Sequence, residues 1–216
     1  MAIRKDIVTS ILAVLGLIVF LGVLYPLVIT GISQVAFPGN ANGQKVYVDG
    51  RLVGSKIIGQ NFSLPVIKNG KPELEKGVPV TVIDPMYLQG RPSGTTPAYN
   101  AAATTFANYG PNSTITKAAI VANIKAYITL NGKYYPGGLT AAKVPVDAAN
   151  TSASGIDPQI SVRNADIQSY RIAALRHLPR AKVVALIDKY TSGRGLGFSG
   201  EPGVNVLEVN LALNRL

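Results

Sequence analysis

The sequence predicts an α+β domain carried on a single N-terminal transmembrane helix, and three observations predict it. An uncharged aliphatic run fills Ile7 to Thr30, short strand-like segments cluster between Lys45 and Ile83, and helical periodicity takes over from Ile115 to Tyr190. Strands, then helices, then one closing strand is the order of an α+β domain, not of repeating βαβ units. The expected organisation is a cytoplasmic N-terminus and membrane helix over residues 1–34, followed by one extracytoplasmic α+β domain over 35–216.

The run reads IVTSILAVLGLIVFLGVLYPLVIT, 24 residues long, and no charge follows Asp6 until Lys45. At ~1.5 Å per residue it makes a helix of about 36 Å, enough to cross a hydrocarbon core of roughly 30 Å with some tilt. A cleaved signal peptide is the rival, since Arg4 and Lys5 would supply its basic start. A signal's apolar stretch is typically ~7–15 residues and ends in a small-residue cleavage site, which Gln34-Val35-Ala36 matches poorly. A buried core helix is disfavoured by apolarity all round the helix. Gly16 and Gly22 provide small-residue positions for close helix packing, although they lie six apart and form no GxxxG face. Arg4 and Lys5 flank the start of the run, which holds that end in the cytoplasm and places the bulk of the chain outside.

After a turn-rich linker, Phe37 to Gly43, the strings Lys45-Val46-Tyr47-Val48 and Arg51-Leu52-Val53 flank Asp49-Gly50, which suits a type I′ hairpin turn. Ile57 to Phe62 and Val78 to Ile83 are further strand candidates, and residues 84–113, with Pro85, Pro92, Pro97 and Pro111, read as loop. A helix is expected over Ile115 to Leu130, capped by Ser113 or Thr114 and stopped by Asn131-Gly132. A second runs from Val162 to Leu178 behind Ser161, and a third from Arg180 to Tyr190 with Pro179 at its first turn. Val204 to Leu211, with a β-branched start and near-alternation, is expected as a strand packed on one face.

Composition narrows the chemistry. The 182 residues after position 34 suffice for one domain with its own core. There is no cysteine, so neither disulfides nor thiolate chemistry contribute, which in an exported domain favours a prokaryotic source. The net charge is +10, of which the head contributes +1, leaving +9 on the exterior part. No basic run interleaved with aromatics is present, so the charge reads as a solvated surface and no nucleic-acid partner is expected. The sequons at Asn61, Asn112 and Asn150 permit glycosylation without indicating it.

Catalytic signatures are missing. The chain lacks HExxH, GxSxG, Walker A and the Asp-Lys-Thr-Gly phosphorylation string. Its one histidine, His177, falls late in a helix beside Arg176, favours a helix C-terminus, and cannot alone make a metal site. Ser192 to Phe198 is glycine-rich and could form an anion nest, but it opens no helix and lacks the Lys-Ser/Thr of a P-loop. A turn into the last strand fits it better. Asp157-Pro158 and Glu201-Pro202-Gly203 are likewise turn chemistry. No catalytic, cofactor-binding or metal-ligating residue is expected on this chain.

Several strings, taken in order, resemble the C chain of the Kdp-type potassium-transporting ATPase. They are Tyr25-Pro26-Leu27 with Thr30-Gly31, Ala41-Asn42-Gly43, Val53-Gly54-Ser55 with Ile58-Gly59-Gln60 and Phe62, and Gly90-Arg91-Pro92-Ser93 with Tyr99-Asn100. Gly110-Pro111-Asn112-Ser113, Ala153 to Asp157-Pro158, and Leu196-Gly197-Phe198 through Leu213 complete the set. The resemblance implies a non-catalytic accessory subunit with one membrane helix. Its partners would be a channel-like A chain that selects potassium, a P-type B chain that carries the phosphorylated aspartate, and membrane lipid. ATP, magnesium and potassium would belong to the complex and not to this chain. A nucleotide-linked role has been proposed for the family, in a stretch usually written Ser-Gly-Gly-Ser-Asn-Leu. Thr104-Thr105-Phe106-Ala107-Asn108-Tyr109 stands there instead, and Phe106 cannot give the close backbone approach of glycine.

Three functions therefore compete: an assembling subunit of a potassium pump, a membrane-anchored exterior enzyme or ligand-binding protein acting alone, and a simple structural anchor in a cell envelope, which expects no copurifying transporter. The first expects Gly16 and Gly22 in the span, and Arg91, Arg194 and Glu201 in shaped loops, as partner contacts. The second expects a converging set of titratable groups.

Overall fold

The computed structural model describes residues 2–103, 109, 110 and 112–216. The stretch from Thr104 to Asn108, where the chain departs from the nucleotide-linked pattern, lies outside the described residues, as does Pro111. The chain divides into two compact units, residues 1–55 and 56–216.

In the first unit, helices α1 (Ala2–Val19) and α2 (Tyr25–Ala36) are joined by a π-helical turn over Phe20–Leu24. The Tyr25 N–H reaches back five residues to the Phe20 carbonyl. Pro26 explains the wide turn, because its ring would collide with the carbonyl four residues earlier, that of Gly22, in an unbroken α-helix. From Ile3 to Ala36, 34 residues form one helix long and apolar enough to cross a membrane. The expected linker contains a helical turn, α3 (Pro38–Ala41), with the Asn42 amide donating to the Pro38 carbonyl at 2.7 Å. Strands β1 (Lys45–Val48) and β2 (Arg51–Ser55) pair antiparallel. Asp49 and Gly50 both sit at positive φ, +49° and +75°, as the type I′ turn requires.

The second unit begins with a slender arm. Strands β3 (Ser63–Pro65) and β8 (Thr81–Ile83) close it. Inside lie two tight hairpins, β4 (Ile67–Lys68) with β5 (Lys71–Pro72), and β6 (Leu74–Glu75) with β7 (Val78–Pro79). Asn69-Gly70 and Lys76-Gly77 turn them, all four residues at positive φ. Ile57 to Phe62 forms no strand: Ile58 is a lone β-bridge residue, and the next strand begins at Ser63. The Gly59 N–H is committed to the Ile156 carbonyl at 2.7 Å, and the Phe62 carbonyl accepts from Asp84 N–H at 3.0 Å, so this segment bonds to loops instead of a ladder. The described part of 84–113 is loop, as expected.

Helix α4 (Thr114–Asn131) is capped by Ser113, whose hydroxyl accepts from Thr116 N–H. A short turn of 3-10 helix and α5 (Val146–Ala149) lead to β9 (Gln159–Ser161). Helix α6 (Val162–Leu175) follows at once, with Ser161 as its N-cap. It ends three residues earlier than expected, and His177 is outside it at φ +53°. His177 N–H bonds to Ala174 O and Leu178 N–H to Ala173 O, the reverse turn that usually requires glycine at that position. Helix α7 (Arg180–Lys189) then precedes β10 (Thr191–Ser192) and β11 (Gly203–Asn205), and the antiparallel sheet has the order β10-β11-β9.

The closing segment corrects the sequence expectation. Only Gly203–Asn205 is strand, and Val206–Leu213 is helix α8. Asn205 is the cap, its side-chain oxygen accepting from Glu208 N–H at 3.1 Å. The cap-x-x-Glu spacing is a helix start, and burial of Val206, Leu207, Val209, Asn210 and Leu213 follows the 3.6-residue period. Over eight residues that pattern passes for alternation.

Helix α6 is the centre of the domain. One side meets α7, α8 and the sheet through Ala165, Ile172, Val183, Ile187, Val204 and Val209. The other meets α4 and α5 through Ile167, Tyr127 and Ala148.

Candidate functional site

Between its two apolar faces α6 buries a polar stripe. Asn164, Gln168 and Arg171 are each at most 1% exposed. They fall at i, i+4 and i+7, hence on one side of the helix. Gln168 exchanges hydrogen bonds with the backbone of Gln89, accepting at 2.8 Å and donating at 3.0 Å. The Arg171 guanidinium donates to Asn131 Oδ1 (2.9 Å), Gln168 Oε1 (2.8 Å), Tyr87 O (3.1 Å) and Pro85 O. Among the described residues no carboxylate pairs with it, and burial lowers its pKa to about 10. Asn210 of α8 does the same for Leu88, accepting from its N–H at 2.8 Å and donating to its carbonyl at 2.9 Å. Three polar side chains thereby clamp a loop with no secondary structure of its own, satisfying backbone groups that would otherwise be buried unpaired.

The clamped loop delivers Arg91 to the surface. Arg91 Nη1 meets Asp157 Oδ2 at 3.1 Å, and Nη2 donates to Thr151 O at 3.3 Å. Ser154 Oγ donates to the other oxygen of Asp157 at 2.6 Å. Ser93 Oγ donates to Gly155 O at 2.7 Å and accepts from Tyr99 N–H at 2.9 Å. Tyr99, at φ +62°, donates its hydroxyl to Arg91 O at 2.5 Å and lies across two glycines. A Cβ at Gly59 would come within 2.6 Å of the Tyr99 ring, and one at Gly90 would strike its hydroxyl. Burial raises the Tyr99 phenol well above its usual range, with Asp157 adding to the effect and Arg91 opposing it. Tyr127, which donates to Asn164 Oδ1 at 2.8 Å, is raised chiefly by burial too. Both are neutral hydrogen-bond donors at physiological pH.

Beside this junction lies a cavity of 310 Å³, walled by Arg91, Tyr99, Gln168, Tyr127, Asn123 and Ile83 among others. Of the hydroxyls that border it, Ser93 and Tyr99 donate to backbone carbonyls, while Ser63 donates to Asn61 Oδ1 and Tyr127 to Asn164 Oδ1; His177 belongs to the α6–α7 turn. The arrangement shapes a surface. Within it Ser154 donates to one oxygen of Asp157 while Arg91 meets the other, and among the described residues no histidine joins them.

The five sequence-predicted contacts fall in three places. Arg91 lies at the junction. Arg194 and Glu201 pair with each other, Arg194 Nη2 meeting the two carboxylate oxygens at 2.8 and 2.7 Å across the stem of the loop between β10 and β11. Gly16 lies in α1 and Gly22 in the π turn, and a Cβ at Gly16 would meet nothing within 4 Å. Sequence reasoning passed over Arg171, Gln168, Asn164 and Asn210, because a polar stripe reads as a solvated face. The signal available was their spacing, which sets the stripe beside apolar positions on both sides.

The strings that carry the family resemblance converge in this geometry. Gly59, Gly90 to Asn100 and Ala153 to Pro158 meet at the junction, and the C-terminal string supplies Asn210. A family model described as K+-transporting ATPase, c chain, matches residues 7–215. The Potassium-transporting ATPase KdpC subunit of Methylococcus capsulatus is 42% identical over 90% of this chain and 90% of its own length. The subunit of that name from Streptomyces coelicolor is 39% identical, covering 94% and 89%. The one from Mycobacterium bovis is 37% identical, covering 99% of this chain and all of its own.

Proposed function

The chain belongs to the family of the K+-transporting ATPase c chain, and from that premise we propose that it is a non-catalytic accessory subunit that assembles and stabilises a potassium-uptake pump. The observation that carries the proposal is the use made of the family strings: at the Arg91–Asp157–Tyr99 junction their hydroxyls, carboxylate and guanidinium bond one another and the backbone. They make a rigid shape, as a docking surface needs, and none is poised for a reaction.

In this proposal the helix from Ile3 to Ala36 is a single pass. Arg4 and Lys5 keep its start cytoplasmic and residues 35–216 work outside, docked on a potassium-selecting A chain and a phosphorylated B chain. ATP and magnesium are handled by the B chain, potassium by the A chain, and no cofactor binds here. Purifying the pump with and without this chain tests it. Loss of assembly or transport on omission is the expected result; full assembly and transport without it would overturn the proposal.

The 310 Å³ cavity favours a second reading, an anchored exterior protein that binds a small ligand. That reading expects single substitutions of Arg91, Asp157 or Glu201 to abolish a turnover or binding signal while the pump stays assembled.

A further inference from the structure

The loop between β10 and β11 ends in an apolar tip. Leu196 is 91% exposed and Phe198 75%; no other large apolar side chain among the described residues is as exposed as Leu196. The tip is held firmly. Gly195 and Ser199 exchange both backbone hydrogen bonds at 2.8 Å, and the Arg194–Glu201 pair, one guanidinium nitrogen shared by both carboxylate oxygens, closes the stem below them. The three-residue turn places Leu196 at φ +53° and Gly197 at +82°. Glycine adopts that region freely and leucine does not, so the turn carries strain in order to hold a leucine in water. Strain and exposed apolar surface at one spot mark a surface built for contact.

We propose that Leu196 and Phe198 form a two-residue knob that inserts into an uncharged apolar socket on another polypeptide of the same pump. The inference rests on the accessory-subunit reading and deepens it. Charge selects the occupant. The exterior part carries +9, yet Arg194, the cation nearest the tip in sequence, is held by Glu201, so the stem is neutral. A surface for anionic lipid headgroups leaves its cations free to meet them. A neutral, preorganised apolar knob suits a protein pocket, where rigidity limits the entropy lost on docking and buried aromatic or aliphatic anchors supply the affinity.

The test uses the full chain in the purified pump. A photo-crosslinking residue at position 196 or 198 is expected to form an adduct with another chain of the pump, located by peptide mass spectrometry. The same probe at Val146, 78% exposed, is expected to form none. Adducts with lipid alone, or no adduct in an intact complex, would overturn the knob. Independently, Leu196→Gly relaxes the turn and removes the side chain, and Phe198→Asp leaves the fold alone. Each is expected to speed dissociation from the pump by at least about tenfold, and unchanged dissociation overturns the proposal. If the pump assembles and works without this chain, the accessory reading itself fails; if only the knob variants behave as wild type, that reading stands and the knob does not.

Discussion

The phenol oxygen of Tyr99 fills the space into which a Cβ at Gly90 would project, and it holds that place by donating to Arg91 O, one residue on. Gly90→Ala should therefore destabilise by about 1–3 kcal/mol, as overpacking does, and Tyr99→Phe by about 1 kcal/mol through the lost hydrogen bond. Removing the hydroxyl also removes the obstruction. The double variant should fall short of the summed losses by roughly 1 kcal/mol in denaturant unfolding; strict additivity would show that the two residues are not in contact.

Arg171 holds four oxygens, two of them backbone carbonyls of the loop that leads to Arg91. Arg171→Met strands those acceptors in the core, with an expected loss of about 3 kcal/mol. Arg171→Lys keeps the charge but not the planar fork and should fail to restore stability. Hydrogen exchange should show residues 85–91 opening first in both variants. Uniform protection there would rule the clamp out.

Asn205 serves two elements at once, capping α8 through Oδ1 and donating to Lys56 O at 2.8 Å through Nδ2. Asn205→Ala should lower stability by about 0.5–2 kcal/mol from the cap alone. Asn205→Asp keeps the cap acceptor and loses the donor, so its melting temperature should lie between those of Ala and wild type.

Alkali should unfold the domain in a defined window. Tyr99 and Tyr127 have folded pKa values above the ordinary phenol value of 10.0, so their contribution is fully present below pH 10 and lost as pH rises through the folded values. Arg171 works the opposite way: its folded pKa is lowered to about 10 from 12.5, so the penalty of burying its charge is relieved between those values. Two phenols outweigh one guanidinium, and the midpoint of chemical unfolding should fall above pH 10. Tyr99→Phe should make that fall shallower; an identical slope would mean that Tyr99 is not the group responsible.

Local signals in the sequence were legible where a few neighbouring residues decide the structure. Asp49-Gly50 turned the first hairpin, Ser113 and Ser161 capped their helices, and the apolar run became one long helix. Misreadings arose where distant partners decide. Gly59 leaves strand pairing because its N–H goes to Ile156, about a hundred positions away. The end of the chain turned helical because Asn205 found Glu208 N–H, although a cap-x-x-Glu spacing was there to be seen. The site was half legible. Arg91 was singled out, and so were Arg194 and Glu201, which proved to be each other's partners. Their supports, Gln168, Arg171 and Asn210, were passed over, since polarity without attention to spacing cannot tell a buried clamp from a wet surface.

The π turn before Pro26 has a phase consequence. A turn with i→i+5 bonding holds about one residue more than an α-helical turn, so α1 and α2 run out of step by that one residue. A stripe of small side chains traced upward from Gly16 does not continue along the same line past Tyr25. Deleting one residue from Phe20–Leu24 together with Pro26→Ala would restore a single phase, whereas Pro26→Ala alone would leave a surplus residue for the helix to absorb. The span thus consists of two rails, each able to face a different neighbour, joined by a one-residue switch.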